Sequence, residues 1–172
     1  MEYRTAALYH ATDTVLQPLD NLQDHFLRQA GVTPLEALLV FNLAPLTTRR
    51  DVAMLGLIHR AALKKGPAHF HEYFFLAEEK QKPKTRLQSR RAQHGRQLKE
   101  YRAGTHLNVL RRSVLGLVTV YNLLPAWIVQ LEQVKDFQQA LQEHVKERAC
   151  QNCEDWKLTY SPRLPLYRHP LR

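Results

Sequence analysis

The chain has 172 residues and a formal net charge of +9, from 25 Lys and Arg against 16 Asp and Glu. A chain of this length can bury a substantial hydrophobic core within one domain. The excess of positive charge favours polyanionic partners and says little about the fold. Leucine is abundant and glycine occurs only six times, which disfavours β-meanders with tight glycine turns. The composition therefore predicts a mostly helical protein.

Targeting and membrane signals are weak. The two cysteines, Cys150 and Cys153, cannot form the disulfide framework that would stabilise a chain this long. No apolar N-terminal segment precedes a cleavage site. We therefore expect an intracellular protein, nuclear or cytoplasmic. Residues 113–131 carry no charge, but Asn122 and Pro125 would leave backbone groups unpaired in lipid. We expect this run to lie in a protein core and not in a membrane.

Two helices are predicted first in the chain. The first runs from Leu16 to Ala30 and ends at Gly31, where a left-handed cap can close it. Its apolar residues follow three-and-four spacing: Leu16, Leu19, Leu22, Phe26, Leu27 and Ala30. The sequence Thr33-Pro34-Leu35-Glu36 is typical of a capping box with proline at the first helical position. It predicts a second, short helix that ends before Pro45.

A third helix is expected to begin at a cap formed by Thr47 or Thr48. Its apolar face includes Val52, Leu55 and Ile58, and Gly66-Pro67 ends it. Residues 1–75 are thus predicted to form an N-terminal helical region.

Residues 76–106 differ sharply in composition. They contain nine Lys or Arg against three Glu and few large apolar residues, so this segment cannot bury a core of its own. We interpret it as a poorly ordered basic linker or arm that binds the phosphates of RNA or DNA. A solvated linker without a ligand is an equally simple interpretation. Its cations are Lys80, Lys82, Lys84, Arg86, Arg90, Arg91, Arg96, Lys99 and Arg102, and His94, Tyr101 and His106 are its candidate stacking groups.

Apolar sequence resumes at Leu107 and predicts a helix that continues to Pro125. A last helix is predicted from Gln133 to Arg148, with one apolar stripe made by Val134, Phe137, Leu141 and Val145. Residues 107–150 form the C-terminal helical region, and residues 151–172, rich in proline, an irregular tail. The predicted fold is all-α, a small assembly of about five helices around the basic central segment.

Motifs that carry chemistry are scarce. The chain has no glycine-rich phosphate loop, no GxSxG, no HExxH and no aspartate pair of the kind that holds two metal ions in a polymerase. Cys150 and Cys153 are spaced as half of a zinc site, and a CxxC without further ligands is more often inert. We therefore expect no catalysis, no cofactor, no bound metal and no small-molecule substrate.

The C-terminal half resembles the end of the polymerase polyprotein of non-LTR retrotransposons of the jockey-like LINE group. The resemblance rests on Arg111-Arg112, an apolar stretch, the block 121–125 and then Ile128, Val134, Phe137 and Leu141. The family block reads Trp-Asn-x-Leu-Pro, followed by a Phe-x-x-x-Leu helix; here Tyr121 replaces the tryptophan, while Asn122, Leu124 and Pro125 match.

The N-terminal half is similar to the helical region that follows the reverse transcriptase palm. The similar residues are Leu22-Gln23 and Leu27-Arg28 ahead of Gly31, then Leu46, Arg49-Arg50 and Leu55. Together the two halves cover residues 8 to 148.

The resemblance implies a non-catalytic C-terminal fragment of a reverse transcriptase. The family's polymerase aspartates lie upstream of these motifs, and no residue of this chain matches them. Tyr121, Asn122, Leu124, Pro125, Phe137 and Leu141 would then pack together. RNA or DNA would be the partner, together with the polymerase palm of the same element. The alternative is a helical protein–protein interaction module without nucleic-acid binding, which would present residues 113–131 to its partner.

Overall fold

The computed structural model describes residues 5–77, 94–100 and 108–172. Their α-helices, in chain order, are α1 (Thr5–Leu8), α2 (Asp13–Gln29), α3 (Pro34–Leu39), α4 (Leu46–Ala62), α5 (Asn108–Arg112), α6 (Leu117–Leu123), α7 (Ala126–Val129) and α8 (Val134–Cys150). Three 3-10 helices lie at Ala68–Glu72, Trp156–Leu158 and Leu166–Arg168.

The prediction of an all-α fold is confirmed. Within the described ranges there is no β-strand, and a single antiparallel bridge joins Leu76 to Leu98. The described ranges contain eight α-helices where about five were expected, partly because the helix predicted from Leu107 to Pro125 is divided into α5 and α6, and α7 follows Pro125.

The turn between α2 and α3 follows the local signals in the sequence. Gly31 has a φ of +67°, a conformation that glycine adopts without steric cost. The Glu36 amide donates to the Thr33 hydroxyl at 3.2 Å, and the Thr33 amide donates to the Glu36 carboxylate at 2.8 Å. These two bonds are the predicted capping box. The pKa of Glu36 is lowered because the Thr33 amide and the Thr33 hydroxyl both donate to its carboxylate, each at 2.8 Å.

The start of α4 differs from the prediction. The helix begins at Leu46 after Pro45, and no side chain caps it. Thr48 is instead buried and donates its hydroxyl to the carbonyl oxygen of Lys157 at 3.0 Å. The hydroxyl is thus used in a tertiary contact with the C-terminal tail.

Gly116 separates α5 from α6. A Cβ atom at this position would lie 2.5 Å from the carbonyl oxygen of Arg111 and 2.6 Å from that of Leu110. Both obstacles are backbone atoms, which cannot rotate away. The turn at this position thus requires a residue without a Cβ atom. It breaks the predicted continuous helix between α5 and α6.

Substitution of Gly116 by alanine should lower the free energy of unfolding by about 1 to 3 kcal/mol, the usual range for overpacking. The matched control is Gly95→Ala, because a Cβ there meets nothing within 4 Å. Urea denaturation of both variants, followed by circular dichroism, measures the difference. Equal midpoints for the two variants would show that the turn at Gly116 relaxes easily.

Helix α8 is the centre of the core. Its side chains Phe137, Leu141, Val145 and Ala149 are buried, which confirms most of the predicted stripe, and Val134 at its first turn is half-buried. This stripe packs mainly against α4, whose Leu55 and Ile58 are completely buried. Burial of large aliphatic and aromatic side chains at this crossing is the main source of stability.

One hydrophobic cluster joins regions that the sequence divides. It contains Leu38 of the N-terminal region, Leu98 of the basic segment, Tyr121 of the C-terminal region, and Trp156 and Tyr160 of the tail. The tail therefore contributes to the core. It was predicted to be irregular, and it contains two 3-10 helices, Trp156–Leu158 and Leu166–Arg168. Residues 94–100 also pack on the core, although they belong to the segment predicted as an arm.

Helix α2 buries less of its predicted apolar face than expected. Leu16 and Leu27 are buried, whereas Leu22 is 51 % exposed and Phe26 is 60 % exposed. Ala30 is also exposed. The apolar residues of this helix therefore fall on two faces.

Candidate nucleic-acid interface

Two of the nine predicted phosphate-binding cations lie in the described part of the chain. These are Arg96 and Lys99. The other seven lie outside the described residues and remain predictions: Lys80, Lys82, Lys84, Arg86, Arg90, Arg91 and Arg102.

The Arg96 side chain binds the protein's own backbone and not an external ligand. Its Nη1 atom donates to the carbonyl oxygen of Val129 at 2.6 Å and lies 3.5 Å from that of Leu131. Lys99 is exposed, and its Nζ atom lies 5.0 Å from the centre of the Phe75 ring. Of the two, Lys99 is therefore the better placed to reach a phosphate.

His94 has a structural position. Its ring is buried, and Nε2 lies 3.0 Å from the carbonyl oxygen of Tyr121. Burial lowers the pKa of His94, so the ring is neutral at pH 7 and donates Nε2–H to that carbonyl. The structure thus removes His94 from the candidate stacking platforms for bases.

Asn122 anchors the described end of the basic segment. The Leu98 amide donates to Asn122 Oδ1 at 2.8 Å, and Asn122 Nδ2 donates to the Leu98 carbonyl at 2.8 Å. The buried amide thus replaces a strand neighbour for one residue of extended chain. We refer to this pair of bonds as the Asn122 clamp. Asn122 was predicted to be a packing residue, and its hydrogen-bond partner could not be predicted because nothing local in the sequence links positions 98 and 122.

Tyr121 of the 121–125 block and Phe137 of α8 both contact His59. Tyr121, Leu124, Phe137 and Leu141 have no exposed surface, and Asn122 is buried beside them. The rings of His59 and Phe137 stack with their centres 3.9 Å apart and their planes 6° apart. The predicted packing of α8 against the block is therefore present, and His59 mediates it.

The hydrogen bonds of His59 define its protonation. Nδ1 lies 3.0 Å from the Tyr121 hydroxyl, and Nε2 lies 2.8 Å from the carbonyl oxygen of Leu131. Burial lowers the pKa of His59 to about 4. The neutral ring then donates a hydrogen bond from Nε2–H to the Leu131 carbonyl oxygen. Its Nδ1 atom accepts a hydrogen bond from the Tyr121 hydroxyl group. Burial raises the pKa of Tyr121, so the phenol stays protonated and can donate.

Further cations surround the turn after α7. Lys65 Nζ donates to the carbonyl oxygen of Glu132 at 2.9 Å, and Arg60 Nε donates to that of Lys65 at 3.1 Å. Lys64, next in the chain, is exposed. We call Arg60, Lys64, Lys65 and Arg96 the turn cluster. The sequence signal for it is the Lys64-Lys65 pair, which is not among the predicted phosphate-binding residues.

The uncharged run 113–131 is mostly interior. Its buried residues are Leu117, Val118, Val120, Tyr121, Asn122, Leu124, Ile128 and Val129, whereas Trp127 is 52 % exposed. Little apolar surface of this run is thus open to a protein partner. In the described ranges, no helix is both long and apolar enough to cross a bilayer.

The cysteine pair lies at the C-terminal end of α8. Cys150 is exposed, Cys153 is half-buried, and both are free thiols. Among the described residues, no group of three or more His, Cys, Asp or Glu side chains is placed to hold a metal ion. The pair therefore remains half of a tetrahedral site.

No protein-family model, no curated protein and no solved structure matches the chain.

Proposed function

We propose that this chain is the C-terminal, non-catalytic region of a non-LTR retrotransposon reverse transcriptase and that it contacts RNA or DNA through its basic segment. The polymerase palm of the same element would be its protein partner. The observation that carries the proposal is the Asn122 clamp, because it links a residue of the family-like block directly to the basic segment.

The packing of the family-like residues also supports the proposal. Tyr121 and Leu124 of the block, and Phe137 and Leu141 of α8, are completely buried in one cluster. A short motif that forms the centre of a core has a physical reason to keep its residue types, because substitutions there leave cavities. The resemblance therefore concerns residues that stabilise the fold.

Electrostatics supports nucleic acid as the ligand. Residues 76–106 carry nine cations and three glutamates, which is +6 of the +9 total. Lys65 and Arg96 of the turn cluster both donate to carbonyl oxygens of residues 129–132, so these two cations lie close to the same turn. Phosphates can follow such a surface, and each contact releases counterions without reading base sequence.

Binding should accordingly be strongly salt-dependent and weak in sequence preference. If about five phosphates are contacted, the slope of log K against log salt should be about −3.5 on single strands and about −4.5 on duplex DNA. The triple variant Arg86→Gln/Arg90→Gln/Arg91→Gln should flatten this slope by about 2 to 3. Arg96 is left intact because its guanidinium holds Val129. Fluorescence anisotropy of labelled oligonucleotides over a salt series measures the slope.

The matched control removes three exposed cations from other surfaces, with the variant Arg28→Gln/Lys135→Gln/Arg172→Gln. It changes the net charge equally and should leave the slope nearly unchanged. If both triple variants weaken binding alike, only net charge matters and the segment is no dedicated interface. If neither changes it, the basic segment is a solvated spacer and the nucleic-acid proposal fails.

A further inference from the structure

Two stretches of the chain that contain no carboxylate meet at the C-terminal tail. Neither residues 101–131 nor residues 156–172 include an Asp or a Glu, whereas both stretches contain arginines. They come together where Arg111 Nη2 of α5 donates to the carbonyl oxygen of Arg163 at 2.8 Å. A cluster of cations without opposite charge of its own creates a positive potential, which attracts polyanions.

The carboxylates of Asp13 and Asp155 border the tail and are already paired. Asp13, the first residue of α2, accepts from Arg163 Nη1, and Asp155 accepts from Arg148 Nη2 of α8 at 3.0 Å. These ion pairs fix the tail against two helices. They also leave the other arginines of this surface without a carboxylate to neutralise them.

The tail presents an exposed aromatic ring beside one of these arginines. Tyr167 lies in the 3-10 helix Leu166–Arg168 and is 71 % exposed. The guanidinium carbon of Arg168 lies 5.5 Å from the centre of the Tyr167 ring, which is a cation–π contact. One guanidinium covers one face of a ring at most, so the exposed ring keeps a face for a ligand. In the ranges that the structure describes, neither Arg111 nor Arg168 forms an ion pair, and both are exposed.

Arg111 lies close to this ring along the chain that it binds. Its guanidinium contacts the Arg163 carbonyl, and Tyr167 follows Arg163 by four residues. Four residues span at most about 14 Å. About four nucleotides at the spacing of a B-form strand cover the same distance. We call Arg111, Tyr167 and Arg168 the tail patch.

We propose that the tail patch binds a single strand of nucleic acid, with an unpaired base stacked on Tyr167 and phosphates at Arg111 and Arg168. The inference rests on the proposed function, because it takes the nucleic-acid partner from there and adds the kind of strand. Aromatic side chains stack on bases that are unpaired, whereas the bases of a duplex already stack on one another. The basic segment, in contrast, is proposed to contact phosphates, which both forms present.

The test uses four labelled probes of about 12 nucleotides, within the usual range of single-strand sites. They are single-stranded DNA, single-stranded RNA, a DNA duplex and an abasic DNA strand, which keeps the phosphates and lacks the bases. Fluorescence anisotropy with the full chain gives the affinities. Tyr167→Ala should weaken binding to both base-bearing single strands about tenfold, the effect of losing one stacked base. It should leave the duplex and the abasic strand unchanged, because neither offers an unpaired base.

Three further variants act as controls. Tyr167→Phe keeps the ring and should bind as the unmodified chain does. Phe41→Ala removes a ring that is 64 % exposed after the end of α3, and it should alter no affinity. Arg168→Gln should flatten the salt slope on single strands by about 0.7, the value for one phosphate contact.

Photo-cross-linking gives a readout that does not depend on affinity. Iodinated pyrimidines cross-link on irradiation to aromatic side chains that stack on them. A single strand that carries iodouracil should therefore cross-link to Tyr167, which mass spectrometry of the digested complex identifies. Cross-links that map only to other residues would contradict the proposal.

Two affinity patterns overturn the proposal. Equal losses of Tyr167→Ala on all four probes would show that the ring does not stack on a base. No loss on any probe would show that Leu166 and Tyr167 are an apolar contact for a protein instead.

The variant Arg86→Gln/Arg90→Gln/Arg91→Gln separates this proposal from the proposed function. If it changes no affinity while Tyr167→Ala weakens single-strand binding, the basic segment is not an interface and the tail patch is confirmed. If it flattens the salt slope while Tyr167→Ala has no effect, the tail patch is wrong and the proposed function stands.

Discussion

Replacement of Phe137 by alanine should lower the free energy of unfolding by about 3 to 5 kcal/mol. The ring has no exposed surface, stacks on His59 at 3.9 Å and lies 6.3 Å from the centre of the Tyr121 ring. Its loss leaves a cavity where α4, α6 and α8 meet, and these helices cannot collapse into it without disturbing the His59 hydrogen bonds. Urea denaturation followed by circular dichroism measures the change.

The control for Phe137→Ala is the same substitution at Phe26. That ring is 60 % exposed on α2, and its removal should change stability by no more than about 0.5 kcal/mol. A midpoint for Phe137→Ala as high as that of Phe26→Ala would show that α8 is not docked on the 121–125 block. The packing of α8 on this block would then no longer support the family resemblance.

A second large effect concerns the pH dependence contributed by Asp51. Its carboxyl group is buried on α4 and accepts a hydrogen bond from the Tyr9 hydroxyl at 2.8 Å. Burial raises the pKa of Asp51 to about 7, against the lowering effects of the Tyr9 bond and of Arg163 and Arg50. Tyr9 remains a donor, since burial and the adjacent Asp51 raise its own pKa.

The direction of the pH effect follows from the raised pKa. Between pH 3.8, where the unfolded carboxyl titrates, and about pH 7, the folded state binds more protons than the unfolded state. The contribution of Asp51 to the free energy of unfolding is fully present below pH 3.8 and is lost as the pH rises through about 7. The total loss is about 4 kcal/mol, from a difference of about three pKa units.

Asp51→Asn isolates this contribution, because asparagine keeps the shape and an acceptor for Tyr9 without titrating. The free energy of unfolding of the variant relative to the unmodified chain should rise steadily from pH 4.5 to pH 7.5. Comparison at each pH cancels the opposite effect of His59, whose lowered pKa removes stability as pH falls from 6.5 towards about 4. A difference that stays constant with pH would show that the carboxylate is solvated.

Local signals in the sequence predicted much of the secondary structure. Gly31, the Thr33–Glu36 capping box and the stripe on α8 act within a few residues, and the observed helix ends and buried face follow them. The break at Gly116 was not predicted. The turn there brings the Leu110 and Arg111 carbonyl oxygens against Gly116, a contact that a run of apolar residues does not reveal.

The candidate interface was predicted less completely. Composition indicated a basic segment, but it could not distinguish Arg96, which binds the Val129 carbonyl, from Lys99, which is exposed. Composition also indicated His94 as a candidate stacking group, whereas the structure buries its ring against the Tyr121 carbonyl oxygen. The positions of His94 and Arg96 depend on contacts with Tyr121 and Val129, and no spacing rule connects chain segments that far apart.

The helical class, the caps between α2 and α3 and the stripe of α8 follow from the amino-acid sequence because propensity, capping and periodicity act within one or two helical turns. Packing between distant segments determined the remaining features, which are the side-chain positions and their hydrogen-bond partners. It turned Asp20 and Gln23 of α2 towards Arg50 and the Ala44 carbonyl oxygen, and it left Leu22 and Phe26 exposed. It also placed His59 between Tyr121 and Leu131, where desolvation keeps the ring neutral.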